Sequence, residues 1–399
     1  MKTINRCLSN SQIAMLEALR AALYEREPHF SNEIDWDEVI FEAKSQAIMG
    51  LVGSMIPVYD ETIEQVKATY LKIMYEQDKV LLLLDYNSIP CVILKGSAAS
   101  IYYPKPFLRS MGDIDILVPR NRFVEATMLL GANGYDFLQG EEVISQLSDK
   151  TREVAFVKNG IEIELHQFFS TRGYNVDDIL EEAILRREIH ILNGYRIPVL
   201  PELENGLVLL GHINQHLRKN VLGLRQIVDW AMYIHSFDDK EIWEERFVPI
   251  AKQIGLFSLA SYVTQMCRDY LGLDGSYTMC SDVDKRLSDE LMNIVLTDGN
   301  FGRRESALGN DNERGLRGAI YEIEGKGLFS YLQSVGLGTW QLCKKHPALR
   351  PVAFIYGFFR QLGKGVSLLV KGKHIGNEFD EGKRRDELYK IIGVKTTDL

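Results

Sequence analysis

The sequence predicts an α+β protein in which a mixed β-sheet is flanked along the chain by helical N-terminal and C-terminal regions. Three observations carry this. Apolar residues recur at three- and four-residue spacings up to about residue 86, short β-rich runs bounded by turn signals fill 87–200, and helical spacing returns from 201. At 399 residues the chain favours two or three packed units over one core, divided here as 1–86, 87–200 and 201–399. With 46% hydrophobic and 25% charged residues, there is enough apolar surface to offset chain entropy, which excludes global disorder.

In order along the chain, Ile13, Leu16, Leu19 and Leu23 define a first helix that Ser9 or Ser11 can cap. Trp36, Val39, Ile40 and Ala43 define a second, with Ser31 or Asn32 before it, and a long helix over roughly 61–86 follows Pro57. Strands are expected at 90–94 (PCVIL), 113–118 (DIDILV), 154–157 (VAFV), 161–166 (IEIELH) and 190–192 (HIL). The clearest later helix runs over 207–235. The polar, Gly-rich stretch 298–318 reads as a long loop.

The net charge of −9 argues against a general nucleic-acid binder, whose affinity comes from neutralising phosphates. That charge is uneven: 325–377 holds no Asp or Glu but eight Lys and Arg residues, among them Arg350, Arg360 and Lys364. Five scattered cysteines form no disulfide framework and no thiolate metal site, which fits a reducing compartment. The first residues hold no apolar run of signal-peptide length, and runs such as VLLLL at 80–84 are too short to span a bilayer, so the expectation is a cytoplasmic protein with no membrane span.

Chemistry concentrates in the middle of the chain. Asp113 and Asp115 are two apart on an apolar strand, so both emerge from one face about 6–7 Å apart and can converge on one cation. An isolated Asp-x-Asp is a solvated strand face. Here a later strand places Glu162, Glu164 and His166 on one face and Ile161, Ile163 and Leu165 on the other, so neighbouring strands would bring a third carboxylate to the first two. Three such carboxylates suit hard cations and can hold two metal ions about 3.5–4 Å apart, the clamp used in phosphoryl and nucleotidyl transfer. Upstream, Lys95, Gly96 and Ser97 form a strand-to-helix turn. Glycine lets backbone approach a phosphate, and the helix start offers free N–H groups. Lys95 and Arg109 lie close in sequence to the carboxylates and can contact a triphosphate.

These residues carry a resemblance. Gly96 and Ser97, then Asp113 and Asp115, then a later strand carboxylate resemble the signature of the polymerase-beta-type nucleotidyltransferase superfamily. More narrowly, Leu94 to Gly96, Tyr103, Pro104, Arg109, the DIDILV run and Glu164 to His166 are similar to a bacterial nucleotidyltransferase family. His212, His216, Leu224, Arg225 and Asp229 match that family's helical region, and the tail from His346 through Arg360 matches loosely. The resemblance implies a nucleotidyltransferase core at 87–200 with Asp113, Asp115 and Glu164 as catalytic and metal-binding residues. It also implies two Mg²⁺ ions and contacts from Lys95, Gly96, Ser97 and Arg109 to a nucleoside triphosphate. The reaction would move a nucleoside monophosphate to a hydroxyl of an unidentified acceptor and release pyrophosphate. Fifteen residues between Ser97 and Asp113 exceed the general superfamily interval, Glu164 stands where Asp is commoner, and Glu162 rivals it.

Other candidates have plainer readings. His212 and His216, four apart on a helix, suit zinc or polar contacts at a cleft. Arg225 and Asp229 suit a helix ion pair or a role at the nucleotide. His166 reads as a satisfied buried histidine, and Arg303 and Arg304 as solvent-exposed or as closing over a triphosphate. In 325–377, Trp340, Phe354, Tyr356, Phe358 and Phe359 read as core, with the cations facing the acidic remainder. The alternatives to an enzyme are a degenerate nucleotide-binding module and a protein that docks on a partner or membrane through its basic tail.

Overall fold

The computed structural model describes residues 8–31, 33–169, 176–237, 241, 243–275, 280, 282–308, 327–339, 350–370 and 375–394. It opens with α1 (Asn10–Leu23), α2 (Trp36–Ser45), α3 (Met49–Gly53) and the 25-residue α4 (Thr62–Tyr86). Ser9 caps α1 in a reciprocal box with Gln12. The second cap is Asp35 in place of the expected Ser31 or Asn32, because its carboxylate accepts the Glu38 N–H and lies next to the first helical turn.

The strands are β1 (Val92–Leu94), β2 (Asp113–Leu117), β3 (Asp136–Phe137), β4 (Glu153–Lys158), β5 (Ile161–His166), β6 (Glu188–Leu192) and β7 (Tyr195–Val199). Helices α5 (Gly96–Ser100), α6 (Phe123–Ala132) and α7 (Val176–Ile184) lie between them. Five strands form one mixed sheet in the order β1-β2-β5-β4-β3, and β6 and β7 pair as a separate hairpin. Among the described strands only β2 and β5 run parallel. On one sheet face Ile114, Ile116, Ile163 and Leu165 are buried in a core shared with Tyr70, Ile73 and Met74 of α4 and Phe123 and Leu130 of α6. Each such side chain contributes about 1.5–3 kcal/mol by burial, so a one-residue slip would move all four to the opposite face. The register that carries the carboxylates is fixed by its apolar complement.

The chain continues through α8 (Glu202–Arg218), α9 (Leu224–Ser236), α10 (Val248–Gln253), α11 (Phe257–Leu271), α12 (Lys285–Asp298) and α13 (Arg303–Ala307). It ends with α14 (Leu328–Thr339), α15 (Arg350–Val370) and α16 (Ile375–Ile391). The single helix expected over 207–235 is two, broken where Asn220 takes φ +52° and Gly223 is extended. Apolar residues continue across the break because both pieces are buried on nearly every side. Of the loop expected over 298–318, Asn300–Gly302 form a tight turn that leads into α13, and 309–318 lie outside the described residues.

A second, larger core joins both ends of the chain. Met15, Leu16 and Leu19 of α1 share it with Trp230, Trp243, Phe247 and Val263, and with Leu388, Tyr389 and Ile392 at the C-terminal end. Among the described residues, Cys91, Cys267 and Cys280 are buried thiols without disulfides, and no helix is long and apolar enough to cross a membrane.

Candidate active site

The parallel pairing of β2 with β5 sets Asp113 opposite Glu162 and Asp115 opposite Glu164, with His166 one step further opposite Leu117. The same alternation that buries the isoleucines places these polar groups on the other face. Oxygen atoms of Asp115 and Glu164 and a ring nitrogen of His166 all lie within 4.8 Å of one another. His166 Nε2 is 2.9 Å from Asp115 Oδ1 and 3.3 Å from Glu164 Oε2, so it carries its proton toward both. Lys95 Nζ donates to the same Asp115 oxygen at 2.9 Å.

Lys95 reaches Asp115 from a strained position. It has φ +52°, which costs a non-glycine residue about 1–3 kcal/mol, and Gly96 follows at φ +37°. The two left-handed residues turn the chain sharply after β1. The helix that follows, α5, has five residues, too short to supply the macrodipole expected at a phosphate site. Ser97 is buried and its hydroxyl donates to Gln77 Oε1 at 2.7 Å, so its side chain faces α4 and does not line the cavity at the carboxylates.

Asp115, Glu164 and Asp113 line a polar cavity of about 180 Å³ together with Lys95, Gly96, Arg152, His212, Gln215, His216, Lys219 and Arg225. A second cavity of about 630 Å³ adjoins it and shares Met111, Gly112, Asp113, Arg225 and Phe301. The larger one is walled by Thr62, Gln65, Val66 and Thr69 of α4 and by Lys44, Glu162 and Arg303.

The electrostatics divide the carboxylates. Burial would raise the Asp115 carboxyl, but Lys95 and His166 outweigh it and hold Asp115 well below the usual range. Asp113 reaches solvent at the rim yet is walled on most sides. Burial and the Asp115 charge push it up to about 6 against the pull of Lys95 and Arg225. Glu162 is raised by burial and by Glu164. Lys95 and His166 are both raised, since contacts to the carboxylates overcome burial. His212 and His216 stack edge to face at 4.3 Å, and burial lowers both, His216 to about 3. They are neutral pocket walls, and among the described residues no third ligand groups with them for zinc.

Arg109 also lines the smaller cavity, but its guanidinium is engaged by a buried carboxylate. Its Nε and Nη2 each donate to the Asp229 carboxylate at 2.7 Å, and the Tyr103 hydroxyl donates to Asp229 Oδ1 at 2.6 Å. This buried cluster locks α9 to the segment before β2. The Arg225 and Asp229 helix pair is therefore not formed. Arg225 Nη1 donates to the Ser110 carbonyl, and its Nε is buried without a hydrogen bond. Burial and the nearby Arg109 lower the Arg225 guanidinium, and the residue lines both cavities. Arg304 pairs with Glu42 at 2.8 Å, whereas Arg303 is exposed on the larger cavity.

Sequence reasoning passed over Arg152, Gln215, Lys219 and Phe301. Arg152 precedes β4, whose hairpin with β5 sets Glu153 opposite His166, and the Asn159-Gly160 turn between them was the readable signal. Phe301, at φ +55° between Gly299 and Gly302, packs on His216 with ring centroids 5.1 Å apart and borders both cavities.

The site is a parallel strand pair that gathers acids against a cation-lined pocket. The chain belongs to the family described as uncharacterised nucleotidyltransferase, whose model matches residues 32–272, more than half its length. No curated protein matches it. A solved structure, the antigenic nucleotidyltransferase-like protein from Paracoccidioides brasiliensis, is 13% identical over 54% of this chain and 95% of that chain. Its TM-score of 0.28 is too low to bear on the site.

Proposed function

We propose that this chain transfers a nucleoside monophosphate from a nucleoside triphosphate to a hydroxyl of a second substrate, releasing pyrophosphate, with Asp113, Asp115 and Glu164 as the catalytic carboxylates. The observation that carries this reading is the in-register set of four acids on β2 and β5, of which Asp113, Asp115 and Glu164 line a pocket with Lys95, Arg152, Lys219 and Arg225 while Glu162 faces the adjoining cavity. Acids gather a divalent ion, and cations receive the phosphates.

The donor set fits such an ion. Asp115 and Glu164 offer hard oxygens within 4.8 Å of each other, and Asp113, raised by burial and then by the Asp115 charge, lines the same cavity. When bound, Mg²⁺ would supply Lewis-acid stabilisation of the charge that develops on the α-phosphate. The residues do the rest. Asp113, Asp115 and Glu164 would hold the ion, and His166 keeps the Asp115 and Glu164 oxygens together. Arg225, Lys219 and Arg152 are placed to take the polyphosphate, with Lys95 and the Gly96 backbone at its α-phosphate end. The acceptor oxygen forms a bond to the α-phosphorus, and the bond to the bridging oxygen breaks with its electron pair leaving on pyrophosphate. The hydroxyl proton passes to a carboxylate of the set, of which Asp113 borders both cavities.

The test incubates the full chain with Mg²⁺ and each of the four ribonucleoside triphosphates, with pools of hydroxyl-bearing acceptors, and measures pyrophosphate. Asp113→Asn and Asp115→Asn are each expected to reduce release by about a hundredfold or more. Activity that survives both substitutions removes the reading. Tight Mg²⁺-dependent nucleotide binding without product for any acceptor would favour a nucleotide sensor.

A further inference from the structure

Helices α14 and α15 pack on each other in an inverted manner. At their crossing the small residues face inward: a Cβ on Gly336 would stand 1.8 Å from the Ala353 carbonyl oxygen, and one on Gly357 would stand 2.1 Å from that of Leu332. Ala353 and Gly357 are four apart, so one face of α15 approaches its neighbour backbone to backbone. The large apolar residues face outward. Val352, Ile355, Phe359 and Leu362 recur at three, four and three along α15 and are 40%, 52%, 62% and 51% exposed, and Phe358 beside them is 47% exposed. The core between the two helices is correspondingly thin, Tyr331 and Leu332 with Val335 and Phe354 against them. Of the aromatics expected as core, Tyr356, Phe358 and Phe359 are exposed, Phe354 packs on this thin core, and Trp340 lies outside the described residues.

In water this arrangement leaves its most hydrophobic stripe uncovered, whereas against hydrocarbon small residues inside and large ones outside are the usual order. Charge points the same way. The segment that contains both helices, 325–377, has eight cations and no acid in a chain whose net charge is −9. That local excess complements an anionic surface, and a basic helix with an aliphatic and aromatic stripe is the pattern of an interfacial anchor. The aliphatic share of the stripe separates it from a base-stacking surface, which relies on aromatic faces. No described helix is long and apolar enough to cross a bilayer, so the hairpin would lie on it.

We propose that the α14–α15 hairpin docks this protein on an anionic lipid surface through the outward stripe of α15, independently of whatever the carboxylate site does. The full chain is sedimented with vesicles of phosphatidylcholine alone and of equal parts phosphatidylcholine and phosphatidylglycerol, at low and high salt. It is expected to pellet with the mixed vesicles, much less with the neutral ones, and less at high salt. Phe358→Ser with Phe359→Ser should weaken binding by about tenfold or more, since two buried aromatic side chains are lost. Arg360→Glu with Lys364→Glu should remove the preference for phosphatidylglycerol, while Tyr86→Ser, also on the surface, should change nothing. Three results overturn the proposal: no pelleting with either vesicle, pelleting indifferent to both double variants, or loss through the phenylalanine variant of self-association or single-stranded RNA retention in lipid-free protein.

Discussion

Asp113 and Asp115 are two residues apart, and burial and charge push their carboxyls in opposite directions. Asp115, held by Lys95 and His166, stays ionised across the whole working range. Asp113, raised to about 6, is protonated below that pH and ionised above it. If the ionised form is required, kcat/KM, which reports the free enzyme, should fall about tenfold per pH unit below about 6 and level off above it. A profile flat from pH 5 to 8 would show that Asp113 is not needed in that form. The carboxylates themselves were legible in the sequence, because two-residue alternation states which side chains share a face. Their partners were not. Arg109 sits four residues before Asp113, yet its guanidinium is spent on Asp229, 120 positions away, and spacing carries no information about so distant a partner.

At the scale of elements, caps and long-range pairs decide how each helix is set. Glu17 on α1 accepts from Arg26, from the His29 backbone and from Arg20, and these contacts lower its carboxyl from 4.5 to about 2 despite burial. The folded value lies below the unfolded one, so the stabilisation is complete above about pH 4.5 and disappears as pH falls toward about 2. Because Arg26 is 39% exposed on its side chain, solvent screens part of this. Glu17→Gln should therefore cost about 1–2 kcal/mol at pH 7 in urea unfolding, with the difference from the parent shrinking across that acid window. Helices and the three longer central strands were readable from periodicity, but β3 and β7 were not. The first is two residues long, and the second carries Pro198, which marks an edge position and argues against a strand when read alone.

Across the whole molecule the helical regions on either side of the sheet are interlocked. Arg304 reaches back to Glu42, and within the C-terminal helices Arg385 of α16 donates to Asp298 at 2.6 and 3.1 Å with both side chains almost fully buried. Breaking the second pair leaves a buried carboxylate without its main cation, which costs about 3–5 kcal/mol. Arg385→Ala should lower the urea midpoint accordingly. It should do so in one transition seen alike by near- and far-ultraviolet circular dichroism, since α1 and α16 share a core. A separate early transition for the last helix would contradict that coupling. Composition and periodicity announced helices at both ends of the chain but not that they meet.

That meeting shapes how the protein is made. During synthesis, the apolar side of α1 emerges from the ribosome long before Leu388, Tyr389 and Ile392, which belong to the same core. At about 5–20 residues per second the wait is roughly 20–75 s, during which the early helices hold sticky surface open to chaperones or to neighbouring nascent chains. A premature stop near the C-terminus would thus strand the first-made part of the molecule as much as the last.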